Sequence, residues 1–342
     1  MITIGHSQPC FIVAEAGINH NGDINLAHQL IDYAEEVGVD AIKFQYYKTE
    51  DFLLDKTLTH KYTSQGKSIV ENQYNMFKRY ELSYKSIVEL SDHAKQKGLI
   101  FFCTPTSEKG ISELIKLGVP LLKNGSDYLG NLPMIRTMAR TGLPVILSTG
   151  MATWDEIDDA VQSFQEADGK DLILLHCTST YPTPSNEVNL RRISALSSIY
   201  NCPVGFSDHT QGTISSIGAV VMGACMIEKH FTLNKKLSGP DHRFSADPKE
   251  MEELVNAIRT VEQNMGSGAI KPTPSEIEGR SKYRLSCVAK SNLPANHLLI
   301  AKNIIHCRPG TGILPKEVYS IIGKRLINAV DRGHIFKRED LK

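Results

Sequence analysis

Short apolar runs alternate with amphipathic stretches over the first 265 residues of the chain. The runs are of strand length, and there are eight of them, at residues 11–17, 41–47, 99–105, 121–126, 144–150, 172–178, 203–210 and 225–232. Between the runs, apolar residues recur at helical spacing, as Leu26, Leu30 and Ala34 do. A closed parallel barrel requires eight strand-then-helix units, whereas an open doubly wound sheet usually stops at about five to seven strands. The pattern therefore predicts an α/β fold, a (β/α)8 TIM barrel.

The periodic pattern stops between residues 266 and 282, where Gly, Pro, Ser and charged residues follow one another. Such a stretch is typical of a linker. We therefore predict a barrel over residues 1–265, a linker over 266–282 and a small loop-rich domain over 283–342. Because about 60 residues bury little surface, we expect this domain to rest on the barrel or on a partner chain.

The longest connection within the predicted barrel covers residues 48–82, between the second strand and its helix. Long loops on that face of a barrel often carry function. This connection also contains four aromatic residues, Tyr62, Tyr74, Phe77 and Tyr80. Their presence equally predicts a small hydrophobic core that belongs to the connection itself.

Charge and composition exclude several classes of protein. The chain has 38 basic and 38 acidic side chains, so no positive excess favours nucleic acid or an anionic membrane surface. With 41% hydrophobic and 22% charged residues, it is typical of a globular protein and not of a disordered chain. No apolar run approaches the ~18 residues of a membrane span, and residues 1–6 lack the pattern of a signal peptide. We therefore expect a cytoplasmic protein without membrane or nucleic-acid partners.

Seven cysteines are spread along the chain, and none is paired as Cys-x-x-Cys. Most lie inside apolar stretches, as is typical of buried small hydrophobic residues in a reducing compartment. A catalytic thiol needs a nearby base, and Cys177 beside His176 is the one sequence neighbour that we single out. Burial is the interpretation that we prefer for this cysteine.

Polar side chains end or follow every predicted strand. In a TIM barrel the carboxyl ends of the strands meet at one mouth, where the active site forms. In chain order these side chains are Glu15, Lys43, Gln45, Thr104, Lys123, Ser126, Ser148, His176, Tyr181, Asp208, His209, Glu228, Lys229 and His230. The sequence therefore predicts an active site at this mouth.

Lys43 and Lys123 indicate what this mouth would bind. Two lysines, several hydroxyls and Gly turns supply the cations and the fixed donors that a phosphate needs. Buried lysines are rare without a partner, which favours an anion site. Two other interpretations stay open, namely a Lys–Glu pair that only fills a layer of the barrel and an imine-forming lysine of an aldolase.

His209 and His230 end adjacent predicted strands. Two neutral imidazoles about one strand apart can ligate a divalent metal ion together with substrate oxygens and water. The alternative is that both are satisfied core residues, the commoner role of a lone histidine. His176 lies one layer deeper on its strand, and we interpret it as structural.

Eight segments resemble the sialic acid synthase family, and they occur in the family's order at the predicted strand ends. They are residues 15–22, 43–45, 123–126, 147–151, 177–184, 206–210, 228–232 and 239–242. The tail is similar to the antifreeze-like (SAF, β-clip) domain of these enzymes, with Cys307-Arg308-Pro309-Gly310 resembling its arginine-bearing loop. The resemblance covers the whole chain.

This resemblance implies condensation of phosphoenolpyruvate with N-acetylmannosamine or a related N-acylated mannosamine, giving a nine-carbon nonulosonic acid and phosphate. It assigns the phosphate and carboxylate of phosphoenolpyruvate to five side chains, those of Lys43, Thr104, Lys123, Ser126 and Ser148. It also implies that His209 and His230 hold a divalent metal ion, Mn²⁺ in the first place, with Mg²⁺ or Co²⁺ as alternatives.

On the sugar side, the resemblance implies that Glu15 and Asp241 contact hydroxyl groups, with Glu15 as a candidate proton carrier. Gln45 and Tyr181 would line the sugar pocket. Arg308 would come from the small domain of a partner subunit and contact the N-acyl group. That arrangement implies a domain-swapped homodimer.

Three positions depart from the family pattern, at Thr106, Asn124 and Ser179, and all of them are expected on the sugar side. They leave the acceptor open between N-acetylmannosamine and 2,4-diacetamido-2,4,6-trideoxymannose, the precursor of N,N'-diacetyllegionaminate. A metal-free Schiff-base aldolase is a rival among enzymes. A carbohydrate-binding or ice-binding protein is a rival outside them, but it has no need for a mouth with two lysines and two histidines.

Overall fold

The computed structural model describes residues 3–5 and 7–342. Part of the stretch 1–6, on which the signal-peptide prediction rests, lies outside the described residues. The chain divides into two compact units, Met1–Gly266 and Ser267–Lys342. No helix in the described part of the chain is long and apolar enough to cross a membrane.

The first unit alternates strands and helices. Its elements are β1 (Phe11–Gly17), α1 (Ile24–Glu36), β2 (Ala41–Tyr46), α2 (Thr49–Phe52), β3 (Thr59–Ser64), β4 (Lys67–Asn72), α3 (Gln73–Tyr80), α4 (Tyr84–Gln96), β5 (Ile100–Pro105), α5 (Glu108–Leu117), β6 (Leu122–Asn124), α6 (Leu132–Ala139), β7 (Val145–Ser148), α7 (Trp154–Glu166), β8 (Leu172–Cys177), α8 (Arg191–Tyr200), β9 (Val204–Asp208), α9 (Ile214–Val221), β10 (Met226–His230) and α10 (Pro248–Met265). Each of the eight predicted runs contains one strand of the main sheet.

Eight parallel strands form this sheet in the order β5-β2-β1-β10-β9-β8-β7-β6. The first and last strands of that order, β5 and β6, lie beside each other and close the barrel. The predicted TIM barrel is therefore confirmed. Strand β6, the fourth strand of the barrel in chain order, is shorter than its apolar run, because a short 3-10 helix follows at Ser126–Tyr128.

The hydrophobic core has two layers, because successive side chains of a strand point to opposite faces. On β1, Val13 belongs to the cluster inside the barrel, together with Phe102 and Ile146. Its neighbour Ile12 belongs to the larger cluster between strands and helices, where Phe44 also packs. This alternation decides which polar residues at the strand ends face the mouth.

The connection after β2 folds into α2, the hairpin of β3 and β4, and α3. Tyr80 forms a small cluster of its own with Ile18, Tyr47 and Met76, against which Phe52, Tyr62 and Phe77 pack. The expected aromatic core is thus confirmed for three of its four members. Tyr74 was wrongly included, because its hydroxyl donates to Oε1 of Glu50 at 2.7 Å in an exposed position.

The second unit contains α11 (Pro274–Tyr283) and an antiparallel pair, β11 (Ser286–Ala289) and β12 (Ile304–Cys307). Its core includes Cys287, Leu299 and Phe336. The stretch 266–282, expected to be a linker, is largely helical. A capping box starts this helix, since Oε2 of Glu276 accepts a hydrogen bond from the backbone N–H of Thr273 at 2.8 Å.

The barrel leaves no room for a side chain at Gly205 of β9. A Cβ atom there would lie 2.6 Å from the carbonyl oxygen of Met226 and 2.6 Å from Cδ2 of Leu175. We therefore expect Gly205→Ala to lower the free energy of unfolding by about 2 kcal/mol, as overpacking does. Gly130→Ala is the matched control, because a Cβ atom at Gly130 meets nothing within 4 Å. Equal urea-unfolding midpoints for the two variants would contradict this packing.

Candidate active site

A buried ion network fills the mouth of the barrel. Nζ of Lys43, on β2, lies 2.9 Å from Oε2 of Glu15 and 3.6 Å from Oε2 of Glu228. It also donates to the hydroxyl of Thr104 at 3.1 Å. Nζ of Lys123, on β6, lies 3.9 Å from Oε1 of Glu228. We call Glu15, Lys43, Lys123 and Glu228 the lysine–glutamate cluster.

Lys123 is held from the neighbouring strand as well. Its Nζ donates to Oγ of Ser148 at 2.6 Å and to its neighbour's carbonyl oxygen, that of Asn124, at 2.9 Å. Oγ of Ser126 accepts a hydrogen bond from the backbone N–H of Gly150 at 3.0 Å. Of the hydroxyls expected to bind an anion, that of Ser148 therefore contacts Lys123 and that of Thr104 contacts Lys43.

The two lysines differ electrostatically. Burial alone lowers the pKa of Lys43, but Glu15 and Glu228 outweigh burial and raise it. For Lys123, burial prevails and the pKa falls, because Lys43 repels its charge and Glu228 compensates only in part. Burial raises the pKa of Glu15, whereas Lys123 and Lys43 outweigh it at Glu228 and lower the pKa there. The cluster thus places Lys43, whose pKa is raised, beside Lys123, whose pKa is lowered.

Glu228 was given no role by the sequence argument, although it contacts both lysines. Glu228 lies two residues before His230 on β10, so both side chains point into the barrel. Oε1 of Glu228 accepts a hydrogen bond from Oγ of Ser207 at 3.1 Å. This spacing of two residues could have indicated from the sequence that Glu228 faces the interior of the barrel. The lysines that Glu228 meets lie on β2 and β6, which are far from β10 in sequence.

The two predicted histidines meet beside this cluster. The ring centres of His209 and His230 lie 5.4 Å apart. Nδ1 of His209 lies 2.9 Å from the carbonyl oxygen of Thr178, which can only accept, so Nδ1 carries the proton and leaves the lone pair of Nε2 free. Burial lowers the pKa of His230 well below its usual value, and its buried Nδ1 has no hydrogen-bond partner among the residues that the structure describes.

This histidine pair fits a divalent metal ion in its donor chemistry. The unpartnered Nδ1 of His230 lies 3.7 Å from Oδ2 of Asp241, so a neutral imidazole and a carboxylate face each other. Burial lowers the pKa of His209, but Sγ of Cys177 and the carbonyl of Thr178 outweigh it and raise the pKa. Within residues 3–5 and 7–342, no three His, Cys, Asp or Glu side chains form a ligand set by themselves.

Two of the predicted sugar-side residues, Tyr181 and Asp241, lie beside the histidine pair. The ring of Tyr181 is half-exposed, with its centre 4.2 Å from that of His209. Burial raises the pKa of Asp241 to about 7. Nε2 of Gln45 donates to Oε1 of Glu15 at 3.4 Å, which links this side of the mouth to the lysine–glutamate cluster.

Cys177 faces a different histidine from the one beside it in sequence. Its Sγ lies 3.7 Å from Nδ1 of His209. His176 points to the other side of β8, where its Nε2 lies 2.6 Å from the carbonyl oxygen of Val188 and its ring stacks on Phe206. The structural interpretation of His176 therefore agrees with its contacts, and the preferred interpretation of Cys177 as a buried residue is confirmed.

Asn124 was wrongly placed on the sugar side. Lys123 points into the barrel, so its neighbour on β6 points outward, as Leu122 does in packing against the helices. The side chain of Asn124 is fully buried, and its amide nitrogen and oxygen have no partner. The structure offers no explanation for this unpartnered amide.

Arg308 belongs to the second unit and follows β12. It is exposed, and its guanidinium carbon lies 5.3 Å from the centre of the Tyr283 ring. This contact holds the guanidinium over an aromatic face within its own unit.

The closed parallel barrel and the buried charged groups at its mouth define the class of protein, a TIM-barrel enzyme. Residues 30–270 match the model of the NeuB family, so the chain belongs to the NeuB family. This membership confirms the predicted family and the predicted enzyme class, a phosphoenolpyruvate-dependent enzyme that forms a carbon–carbon bond.

Several named proteins are similar over nearly the whole chain. The N,N'-diacetyllegionaminic acid synthase of Legionella pneumophila is 42% identical over 96% of this chain and 94% of its own. The N-acetylneuraminate-9-phosphate synthase of Homo sapiens is 33% identical over 98% of this chain and 94% of its own. The crystal structure of an N-acetylneuraminic acid synthetase from Leptospira borgpetersenii has a TM-score of 0.73 and 38% identity, covering 81% of this chain and 92% of that one.

Two buried histidines next to the mouth make the stability of the protein depend on pH. Burial lowers the pKa of His20 and of His242 to about 4. Between pH 6.5 and 4 the unfolded chain therefore binds protons that the folded chain does not, and we expect the free energy of unfolding to fall as the pH is lowered. His20→Gln should reduce this loss.

Urea unfolding at pH 6.5 and pH 4.5 measures this effect. A loss of stability in His20→Gln equal to that of the parent would contradict the assignment of His20.

Proposed function

We propose that the chain condenses phosphoenolpyruvate with an N-acylated mannosamine-type sugar to give a nonulosonic acid and phosphate. The observation that carries this proposal is the lysine–glutamate cluster beside the histidine pair. It provides cations and hydroxyls for a substrate with two anionic groups, a phosphate and a carboxylate. Within the same mouth, it provides imidazoles near the place where an aldehyde would bind.

The anionic substrate would occupy the side of the mouth that carries the lysines. Lys43, Lys123 and the hydroxyls of Thr104, Ser126 and Ser148 would bind the phosphate and carboxylate of phosphoenolpyruvate. Charge-assisted hydrogen bonds from ammonium groups are stronger than neutral ones, and burial excludes water that would weaken them. Glu15 and Glu228 keep the ammonium groups compensated before the substrate arrives.

The reaction then forms one carbon–carbon bond and breaks one bond to phosphate. The double-bond electrons of phosphoenolpyruvate attack the aldehyde carbon of the sugar through C3, and the aldehyde oxygen takes up a proton. Positive charge develops at C2, water adds there and loses a proton, and the tetrahedral intermediate expels inorganic phosphate. Glu15 can carry one of these two protons, because burial raises its pKa and Nε2 of Gln45 donates a hydrogen bond to its Oε1.

His209 and His230 would hold the divalent metal ion, with Mn²⁺ as the first choice and Mg²⁺ or Co²⁺ as alternatives. When bound, such an ion polarises the aldehyde oxygen as a Lewis acid. Thr178 keeps His209 in the tautomer that leaves Nε2 free, and burial keeps His230 neutral. Asp241, with a pKa of about 7, and Tyr181 would contact the sugar beside them.

Of the two acceptors that the sequence leaves open, we propose the 2,4-diacetamido-2,4,6-trideoxymannose, which makes the product N,N'-diacetyllegionaminate. The legionaminic acid synthase of L. pneumophila is more similar to this chain than the human enzyme that makes N-acetylneuraminate 9-phosphate. N-Acetylmannosamine is the alternative acceptor.

We also propose a domain-swapped homodimer, in which Arg308 of a partner subunit contacts the N-acyl group of the sugar. The exposed position of Arg308 in the small unit supports this role, since a guanidinium free of ion pairs can donate to a carbonyl oxygen. The proposed location of the enzyme is the cytoplasm.

Phosphate release from phosphoenolpyruvate tests the proposed reaction. With Mn²⁺ we expect release with both sugars, faster with the diacetamido sugar, and no release after treatment with EDTA. Borohydride reduction in the presence of pyruvate should trap no adduct at Lys43 or Lys123, which excludes the Schiff-base aldolase. Release that survives EDTA, or no release with either sugar, would contradict the proposal.

Arg308→Ala tests the contact across the dimer. We expect the KM of the sugar to rise about tenfold or more while the KM of phosphoenolpyruvate changes little, because only the sugar carries the N-acyl group. Arg284→Ala, in the same unit, is the control. Equal changes in both KM values would contradict this role for Arg308.

A further inference from the structure

A second buried ion pair lies on the opposite face of the strands that carry the two histidines. Asp208 ends β9 and Lys229 is the penultimate residue of β10, and the two are register partners in the parallel pair. Nζ of Lys229 lies 2.9 Å from Oδ2 of Asp208, and both side chains are 1% exposed or less. Glu228 and His230 point into the barrel, so Lys229 between them points outward.

This pair holds the backbone on both sides of His209. Oδ1 of Asp208 accepts from the backbone N–H of Thr210 at 2.8 Å, and Nζ of Lys229 donates to the carbonyl oxygen of Thr210 at 2.9 Å. Oδ2 of Asp208 also accepts from Oγ of Ser216, in α9, at 2.6 Å. Asp208 and Thr210 flank His209, and Lys229 directly precedes His230.

We propose that the Asp208–Lys229 pair is a positioning device that fixes the separation and orientation of His209 and His230 for a shared divalent metal ion. This inference rests on the metal-binding part of the proposed function. A buried ion pair is not needed for stability as such, since an apolar pair of similar volume often serves equally well. An apolar pair cannot supply the hydrogen bond from Nζ of Lys229 that ties the carbonyl of Thr210 to the strand of His230.

The pair would act by preorganising the two histidines before the metal ion binds. Two ligands on neighbouring strands bind a metal ion tightly only when the free protein already holds them at the required separation. Groups that orient metal ligands from behind typically contribute about 10–100-fold to metal affinity. Among the described residues, neither Lys229 nor Asp208 forms an ion pair or a hydrogen bond with a member of the lysine–glutamate cluster.

The test uses the double variant Asp208→Asn/Lys229→Met, which removes both charges at similar volume and leaves no unpaired buried ion. We expect the Kd of Mn²⁺, measured by titration calorimetry without substrates, to rise about 10–100-fold. The control is Asp40→Asn/Arg259→Met, which removes the ion pair of 3.0 Å near the start of β1. That variant should bind Mn²⁺ as the parent does, even where its unfolding midpoint falls.

Two further measurements test the positioning role of the Asp208–Lys229 pair. Ser216→Ala preserves both charges and removes only the hydrogen bond to Asp208, and we expect a smaller rise in the Kd of Mn²⁺. In the metal-free protein, the imidazole NMR signals of His209 and His230 should shift in the double variant and not in the control. A folded double variant with the parent's Kd and unshifted signals would overturn the positioning role.

The same experiment separates this inference from the proposed function. If the parent protein binds no Mn²⁺, the metal-binding part of the proposed function is wrong. Unshifted histidine signals in the double variant would then overturn the positioning role as well. If the parent binds Mn²⁺ and the double variant binds it equally well, only the positioning role is wrong.

Discussion

The burial of two lysines at the mouth of the barrel is the constraint on which the rest of the site depends. An ammonium group in a closed interior is stable only with nearby negative charge and hydrogen-bond acceptors, because desolvation costs several kcal/mol per ion. Glu15 and Glu228 supply that charge, and Thr104 and Ser148 accept hydrogen bonds. This cluster lies at the end of the strands where chemistry occurs in this fold, and it supports the proposed anion site.

Strand β10 shows how the barrel organises chemistry on both of its faces. Glu228 points inward to the two lysines, Lys229 points outward to Asp208, and His230 points inward to His209. Three consecutive residues thus belong to three different groups, namely the lysine–glutamate cluster, the Asp208–Lys229 pair and the histidine pair. The alternation of a β-strand explains this division of roles, since a shift of one residue would exchange all three.

Much of this could be predicted from the sequence, because the strands and the parity of their residues follow from a period of two. The eight runs and the two histidines on adjacent strand ends were available from that period. The role of Glu228 was not, because its partners on β2 and β6 reach it across the barrel. The helix α11 was missed because it lacks an apolar period, although Thr273 and Glu276 form a visible capping box. The burial of Cys177 was predicted, but its contact with His209 was not, because that histidine lies on the neighbouring strand.

The most direct measurement of the central claim is a crystal structure of the protein with phosphoenolpyruvate bound. The account predicts that the phosphate oxygens lie within hydrogen-bonding distance of Nζ of Lys123 and Oγ of Ser148, and that Nζ of Lys43 contacts the same molecule. A phosphoenolpyruvate molecule bound away from both lysines, for instance with its phosphate on His209 and His230, would contradict the account.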